Sequence, residues 1–433
     1  MSQFNLATKL FMAMITLNLL LFAVIFIMPP ELYSKIMHEP DCSFFNLEAL
    51  TFILFCDLAF YIGYFLYSPI VIKYSRNNPS NAAVSNKFII LPLVPFIFLT
   101  AVSVMMILKA YPQLLFSLGS SAAQRLRADV GTQQDVMSGA PIILSGMVWW
   151  AVFKMRRTEL IVKKRLRITR VVIAISMILL TLTFFIKMSR MELIPLFVGL
   201  LINYKYAEYV TFKGGRTDLL RSMVVVIAIG LAIFIVLSLL RGYGDWQEIF
   251  RQIFAYGPAS YNRLSAFLSG RLHFYGENTG IYVSSFQGQI PILKHFVDIY
   301  SVLGQPNLNS AWLRDFKDVA HSGLNTNYTF PTVYGAVYSF FGLLSPFYFL
   351  ALGLFLKHVV HSINKEKIFG IVFFPFVLFS MLFLFGWNFV LSYNFIVLVI
   401  TVFILFSYEV VFLSIIGRRR PRHHGSCRLS EMG

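Results

Sequence analysis

The sequence is poor in charged residues and in cysteine. Asp, Glu, Lys and Arg make up 13% of its 433 residues, and 57% are hydrophobic, whereas soluble domains are about 25% charged and about 45–50% apolar. So little charge cannot cover the surface of so large an apolar core, which excludes an ordinary soluble protein. Three cysteines cannot form a disulfide framework, and no Cys-x-x-Cys or clustered His and Cys suggests a structural zinc site.

Several common catalytic motifs are also missing. The sequence has no Walker-type glycine-rich loop, no His-Glu-x-x-His, no Gly-x-Ser-x-Gly and no Rossmann fingerprint. Their absence argues against ATP-driven pumps and the common hydrolases.

Long apolar runs are abundant instead. Crossing the hydrocarbon core of a membrane takes about 20 apolar residues. The sequence offers ten such runs, at 6–28, 47–72, 87–108, 139–153, 170–187, 191–207, 219–240, 331–356, 368–387 and 390–416. They predict an all-α polytopic membrane protein with about ten transmembrane helices. The first run ends at Pro29 and Pro30 without a small-residue cleavage site, so we expect it to be retained.

The distribution of basic residues predicts the orientation. If the N-terminus is cytoplasmic, most of the 37 Lys and Arg, including the basic tail 417–433, fall on the cytoplasmic side. This bias places both termini in the cytoplasm. We expect these cations to lie near anionic lipid headgroups rather than to bind nucleic acid.

One long polar segment, 241–330, separates seven predicted helices in 1–240 from three in 331–416. The orientation places it outside the cytoplasm. Asp245 can cap a helix with an apolar stripe that begins at Trp246, and Ser310 can cap a second helix that contains Trp312. We therefore predict a large extracytoplasmic loop that is folded, carries short amphipathic helices and forms the functional site with the outer helix ends.

Arginine residues lie near several predicted outer helix ends. Arg near the end of a span interacts with an anion, faces a polar cavity or extends to the interface. Several of them around one vestibule would suit the diphosphate of a lipid-linked substrate. The alternative for each is an interfacial position or a local pair, such as Arg190 with Glu192. The residues concerned are Arg125, Arg127, Arg190 and Arg241.

A titratable cluster lies within the long loop. Arg271, His273 and Glu277 bring a cation, a base and a carboxylate into one short stretch, as acid–base chemistry requires. A purely structural role is the alternative. In the second predicted span, Asp57 suggests either a hydrogen bond between helices or a proton relay.

The end of the long loop is rich in amides and tyrosines. Asn325, Asn327 and Tyr328 could line a path for a glycan, because amides bind sugar hydroxyl groups and aromatic rings pack on sugar rings. For Tyr334 and Tyr338 an aromatic belt at the membrane interface is the simpler interpretation.

The pattern resembles the bacterial O-antigen polymerase (Wzy-type, oligosaccharide repeat-unit polymerase) family. The similarity rests on about ten spans with one dominant loop in the C-terminal half, on Ser189-Arg190-Met191-Glu192, and on the stretch from Asn327-Tyr328-Thr329-Phe330 to Phe341-Gly342. Phe340 stands where the family often has an aspartate, which puts any role for that acidic position in doubt.

The resemblance implies a metal-independent, GT-C-like membrane glycosyltransferase that needs no cofactor. Such an enzyme transfers a growing glycan from undecaprenyl diphosphate to a new lipid-linked repeat unit at the periplasmic face of the inner membrane, and a chain-length regulator protein is a possible partner. The arginines named above, with Arg271, would bind the diphosphate. His273 or Glu277 would be the base.

Two other functions stay open at this point. An O-antigen ligase would share the topology and the loop. A secondary transporter or flippase for an anionic or lipid-linked sugar would usually show internal repeats and helices broken near the midplane, and we find no clear repeat between the two halves.

Overall fold

A computed structural model shows helices connected by turns. The described residues are 6–39, 46–67, 84–112, 139–187, 189–212, 219–240, 246–284, 297, 299–302, 304–306, 308–326 and 331–419. No β-strand occurs within these ranges, which agrees with the predicted all-α fold.

The helices fall into long apolar helices and shorter ones. In chain order they are α1 (Leu6–Ile27), α2 (Pro30–Met37), α3 (Leu47–Leu66), α4 (Asn86–Ile90), α5 (Leu93–Ala110), α6 (Ala140–Val162), α7 (Arg167–Ile186), α8 (Arg190–Thr211), α9 (Leu219–Leu240), α10 (Trp246–Leu268), α11 (Ile299–Val302), α12 (Leu308–His321), α13 (Thr332–Phe341), α14 (Ser345–Asn364), α15 (Ile368–Leu382) and α16 (Tyr393–Arg419).

Each of the ten predicted apolar segments contains a helix. Within the described ranges, five helical segments have the length and composition needed to cross a membrane: Leu47–Leu66, Asn86–Ala110, Arg167–Ile186, Thr332–Asn364 and Tyr393–Phe412. The protein is therefore a helical membrane protein, and the total of ten spans stays a prediction.

Two glycines bring α3 and α14 into close contact. A Cβ atom added to Gly353 would overlap the carbonyl oxygen of Phe60, and one added to Gly63 would overlap that of Leu350. Toward the C-terminal ends of both helices, the hydroxyl of Tyr67, which directly follows α3, lies 2.6 Å from Nδ1 of His358 in α14. The two helices therefore run in the same direction, as the predicted topology requires. Small residues permit such close packing between helices in membranes.

Replacing Gly353 with alanine is expected to separate these helices and to destabilise the protein by about 1–3 kcal/mol. The obstacle is backbone, which cannot rotate away as a side chain can. The matched control is Gly230→Ala in α9, where the nearest atom would lie 3.9 Å from the new Cβ. Thermal unfolding in detergent should show a lower midpoint for Gly353→Ala alone, and equal midpoints for the two variants would contradict this account.

The predicted span 331–356 is folded back on itself. The rings of Tyr334 and Phe349 stack with centroids 4.9 Å apart, although in one continuous helix residues so spaced would lie about 22 Å apart. The chain reverses at Gly342, whose φ of +53° suits glycine. The short helix α13 is thus one arm of a hairpin, and α14 is the other.

The arm α13 starts deep in the bundle. The Tyr334 hydroxyl donates a hydrogen bond of 2.7 Å to Asp57, half-way along α3, and the ring of Tyr338 lies 5.2 Å from that of Phe52. α13 therefore runs antiparallel to α3 and rises toward the start of α3. A chain segment that enters and leaves a membrane on the same side is tolerated only where other parts of the protein surround its backbone. Residues 332–337 are buried, so α13 meets this condition.

Ion pairs gather at the opposite end of the bundle. Their lengths are 2.6 Å for Arg170 with Glu159, 2.5 Å for Arg156 with Glu208 and 3.0 Å for Lys154 with Glu409. Arg157 pairs with Glu366, just beyond α14. From the sequence these cations are expected near lipid headgroups, but the structure gives them carboxylate partners that hold the helix ends together. Which side of a membrane this end faces stays a prediction.

The described part of the long loop is folded against the end of the bundle near Gly342, and we call it the cap (residues 246–284, 297, 299–302, 304–306 and 308–326). Its own apolar core includes Phe267, Phe274 and Val319. The two predicted loop helices are present as α10 and α12. However, α12 begins at Leu308, so Ser310 lies in its first turn instead of capping it, and Asp245 lies outside the described residues.

Candidate functional site at the junction of the cap and the bundle

The described residues include four of the ten site residues predicted from the sequence. Arg271, His273, Glu277 and Asn325 are described. Arg190 begins α8, but its side chain lies outside the description, so its pairing with Glu192 stays a prediction. The remaining five lie outside the described residues: Arg125, Arg127, Arg241, Asn327 and Tyr328.

The structure brings His273 and Glu277 into contact. Nδ1 of His273 lies 3.2 Å from a carboxylate oxygen of Glu277. The two residues belong to a tight turn, in which the Glu277 N–H donates to the Phe274 carbonyl. In the tautomer that donates from Nδ1, the carboxylate orients the ring, and Nε2 is the nitrogen that can accept a proton. The His273 side chain is 70% exposed, so a substrate could reach it from solvent.

Arg271 starts the same turn and is exposed. Its carbonyl accepts a hydrogen bond of 3.2 Å from the Ser322 hydroxyl at the end of α12. The turn is therefore fixed to α12, and it carries an exposed arginine two residues before the exposed His273. A cation and a base in one turn can serve an anionic substrate that must lose a proton.

Asn325 joins three segments. Its side-chain amide donates to the Met37 carbonyl at 2.9 Å, and its backbone N–H donates to Glu39 at 2.8 Å. Its carbonyl accepts from Arg263 at 2.8 Å. These contacts give Asn325 a structural role at the start of the segment that leads to α13, and a role in lining a glycan path stays a prediction.

A buried ion pair at this junction is not predicted by the sequence. Glu39 follows α2, Arg263 lies in α10, and both side chains are fully buried. The Tyr33 hydroxyl donates to the second oxygen of Glu39 at 2.5 Å. Burial, and then the charge of Glu39, raise the pKa of the Tyr33 hydroxyl, so it remains a donor. The sequence does contain one indication that Arg263 is buried: the small residues Ala259 and Ala266 lie about one helical turn before and after it, and small residues indicate close packing.

A small cavity with a mostly apolar lining lies beneath the cap. Its polar lining residues are Asn18, Asp57, Tyr261 and Tyr334, and it has room for about one water molecule. The hydrogen bond from Tyr334 to Asp57 shows the first of the two alternatives for Asp57, a bond between helices, and a proton relay stays a prediction. The prediction of a membrane-interface position for Tyr334 is wrong, because that side chain is 3% exposed inside the bundle.

Two aspartates of α12 hold the turn that carries His273. Asp318 accepts the Tyr275 N–H at 3.1 Å, and Asp315 accepts the Tyr282 hydroxyl at 2.6 Å. Burial raises the pKa of Asp315 to about 7, and the nearby charge of Asp318 adds to the effect, although the hydrogen bond from Tyr282 opposes it.

The stability of the cap is therefore expected to fall as the pH rises from about 4 to about 7. Between these values the folded cap keeps a proton on Asp315 that the unfolded chain has lost, so unfolding is favoured as protons are removed. The protection factor of the amide hydrogens in the turn at 272–284, from which the intrinsic pH dependence of exchange is removed, should fall over this range and level off above pH 7. Asp315→Asn should abolish the change, whereas Glu248→Gln, at an exposed site in α10, should keep it. A pH dependence that persists in Asp315→Asn would contradict this account.

The comparisons with known proteins do not identify the chain. No protein-family model, curated protein or solved structure matches it. Within the described residues, no three His, Cys, Asp or Glu side chains come together in a way that could hold a metal ion. The chemistry of the cap is therefore inferred from its geometry and from the family resemblance of the sequence.

Proposed function

We propose that this protein is a membrane glycosyltransferase that polymerises lipid-linked oligosaccharide repeat units, as an O-antigen polymerase does. The observation that carries the proposal is the contact between His273 and Glu277 on a cap that is fixed to the end of a helical bundle. A folded cap beside a membrane suits a substrate that has a lipid anchor and a hydrophilic glycan.

The proposed reaction needs a base and a site for an anionic leaving group. His273, oriented by Glu277, would take the proton of an acceptor hydroxyl as its oxygen attacks the anomeric carbon of the donor glycan. The bond from that carbon to the diphosphate breaks, and undecaprenyl diphosphate leaves with the electron pair. Arg271 is exposed on the same turn, and with Arg125, Arg127, Arg190 and Arg241 it would stabilise the charge that develops on the leaving oxygen.

The setting of this reaction is part of the proposal. The protein would lie in a bacterial inner membrane with both termini in the cytoplasm, and the cap would face the periplasm. Its substrates would be undecaprenyl-diphosphate-linked oligosaccharides, and a chain-length regulator protein would be its partner.

The experiment that tests this function is a lipopolysaccharide gel of a strain that lacks the gene, beside the parent and a complemented strain. We expect the ladder to disappear while core with a single repeat unit remains, because the unit is still made, flipped and ligated. Loss of every O-antigen band would overturn the proposal in favour of a ligase or a flippase. An unchanged ladder would overturn it for that polysaccharide.

A further inference from the structure

The turn between α6 and α7 is held in a fixed shape by one buried carboxylate. Glu159 of α6 accepts the Leu166 backbone N–H at 2.9 Å and the Nε of Arg170 at 2.8 Å. Its second oxygen accepts another guanidinium nitrogen of Arg170 at 2.6 Å. The Glu159 side chain is 4% exposed, and its bond to the Leu166 N–H holds the turn at residues 163–166 against the end of α6.

This fixed turn presents four cations to the outside. Lys163, Lys164, Arg165 and Arg167 are all exposed. Lys154, Arg156, Arg157, Arg170 and Lys205 at this end of the bundle have carboxylate partners, but no described carboxylate lies within ion-pair distance of these four. Four positive charges within five residues thus remain available for an anion that comes from outside the chain.

The adjoining helix shows at which level of the membrane the turn lies. α7 has the length and composition of a membrane-crossing helix, and one of its faces is apolar and exposed. The residues of this face are Ile168 (63% exposed), Val171 (57%), Ile175 (50%) and Ile178 (70%). Because this face begins directly after Arg167, the cations lie where the hydrocarbon ends and the headgroups begin.

We propose that the turn at 163–167 is a binding site for anionic phospholipid headgroups. Arg165 and Arg167 offer planar forks that match phosphate oxygens, and the two lysines add charge. The apolar face of α7 would pack against the acyl chains of the same lipid. Basic clusters at the end of a membrane helix attract anionic lipids by roughly fivefold for each cation. Glu159 contributes by fixing the turn before the lipid arrives, which lowers the entropy lost on binding.

Native mass spectrometry can test the site on the intact protein in detergent micelles that contain equal amounts of phosphatidylglycerol and phosphatidylcholine. We expect the wild-type protein to retain phosphatidylglycerol in preference, and this preference should fall with added salt. Lys164→Gln combined with Arg165→Gln should reduce the preference by roughly fivefold for each cation removed. The charge-conserving pair Lys164→Arg and Arg165→Lys should keep it, which separates a loss of binding from a loss of folding.

The matched control is Lys365→Gln combined with Lys367→Gln. These two lysines are also exposed, and they flank Glu366, which pairs with Arg157 at the same end of the bundle. The control should lose little of the preference. An equal loss of the preference for phosphatidylglycerol in the two double variants would show that the attraction is diffuse, and it would overturn the proposal. An unchanged preference in the Lys164 and Arg165 variant would overturn it too, and would leave these cations as signals for membrane orientation.

Discussion

Replacing Arg263 with methionine is expected to destabilise the protein by about 3–5 kcal/mol, because it leaves the charge of Glu39 buried without its partner. Both side chains are fully buried, so water cannot replace the lost guanidinium. The variant also removes the donor to the Asn325 carbonyl. We expect a lower thermal midpoint in detergent and faster proteolysis of the cap.

The double variant Glu39→Leu and Arg263→Met shows how much of the loss of stability comes from the unpaired charge of Glu39 and how much comes from the other lost contacts. It should regain part of the lost stability, since no buried charge remains. The recovery should be incomplete because the Tyr33 hydroxyl and the Asn325 N–H lose their shared acceptor. The matched control is Lys317→Met, on the exposed face of α12, which should change little. A double variant that is less stable than Arg263→Met would contradict this explanation.

The positions of the helices could be predicted from hydropathy, but the hairpin of α13 and α14 could not. A hydropathy pattern records how apolar a segment is, and residues 331–356 are apolar throughout. The reversal depends on one backbone conformation at Gly342, which looks the same in the sequence as any other glycine. It also depends on tertiary contacts, such as the stacking of Tyr334 on Phe349.

The local part of the site was easier to predict than its long-range part. His273 and Glu277 are four residues apart, so their contact follows from short-range geometry, although a turn and not a helix brings them together. Glu39 and Arg263 are far apart in the chain, and nothing in either local sequence indicates the other. The same limit applies to the prediction that the basic residues lie near lipid headgroups, because carboxylates from other helices neutralise several of them.

The His273→Gln variant is expected to slow polymerisation by about 10²–10⁴-fold if His273 is the base of the proposed reaction, as is usual for the loss of a general base. Glutamine has a similar size and can still donate to Glu277, but it cannot accept and release the proton. Glu277→Gln should slow the reaction less, because the imidazole remains as the base and loses only the carboxylate that orients it. The measurement is the rate of glycan elongation by purified protein on lipid-linked repeat units, with the amount of folded protein held equal.

The matched control for this prediction is His321→Gln, which changes an exposed histidine at the end of α12 in the same cap. A general effect of histidine loss on the cap would slow both variants, whereas loss of the base slows His273→Gln alone. If both variants elongate glycan at the wild-type rate, His273 is not the base.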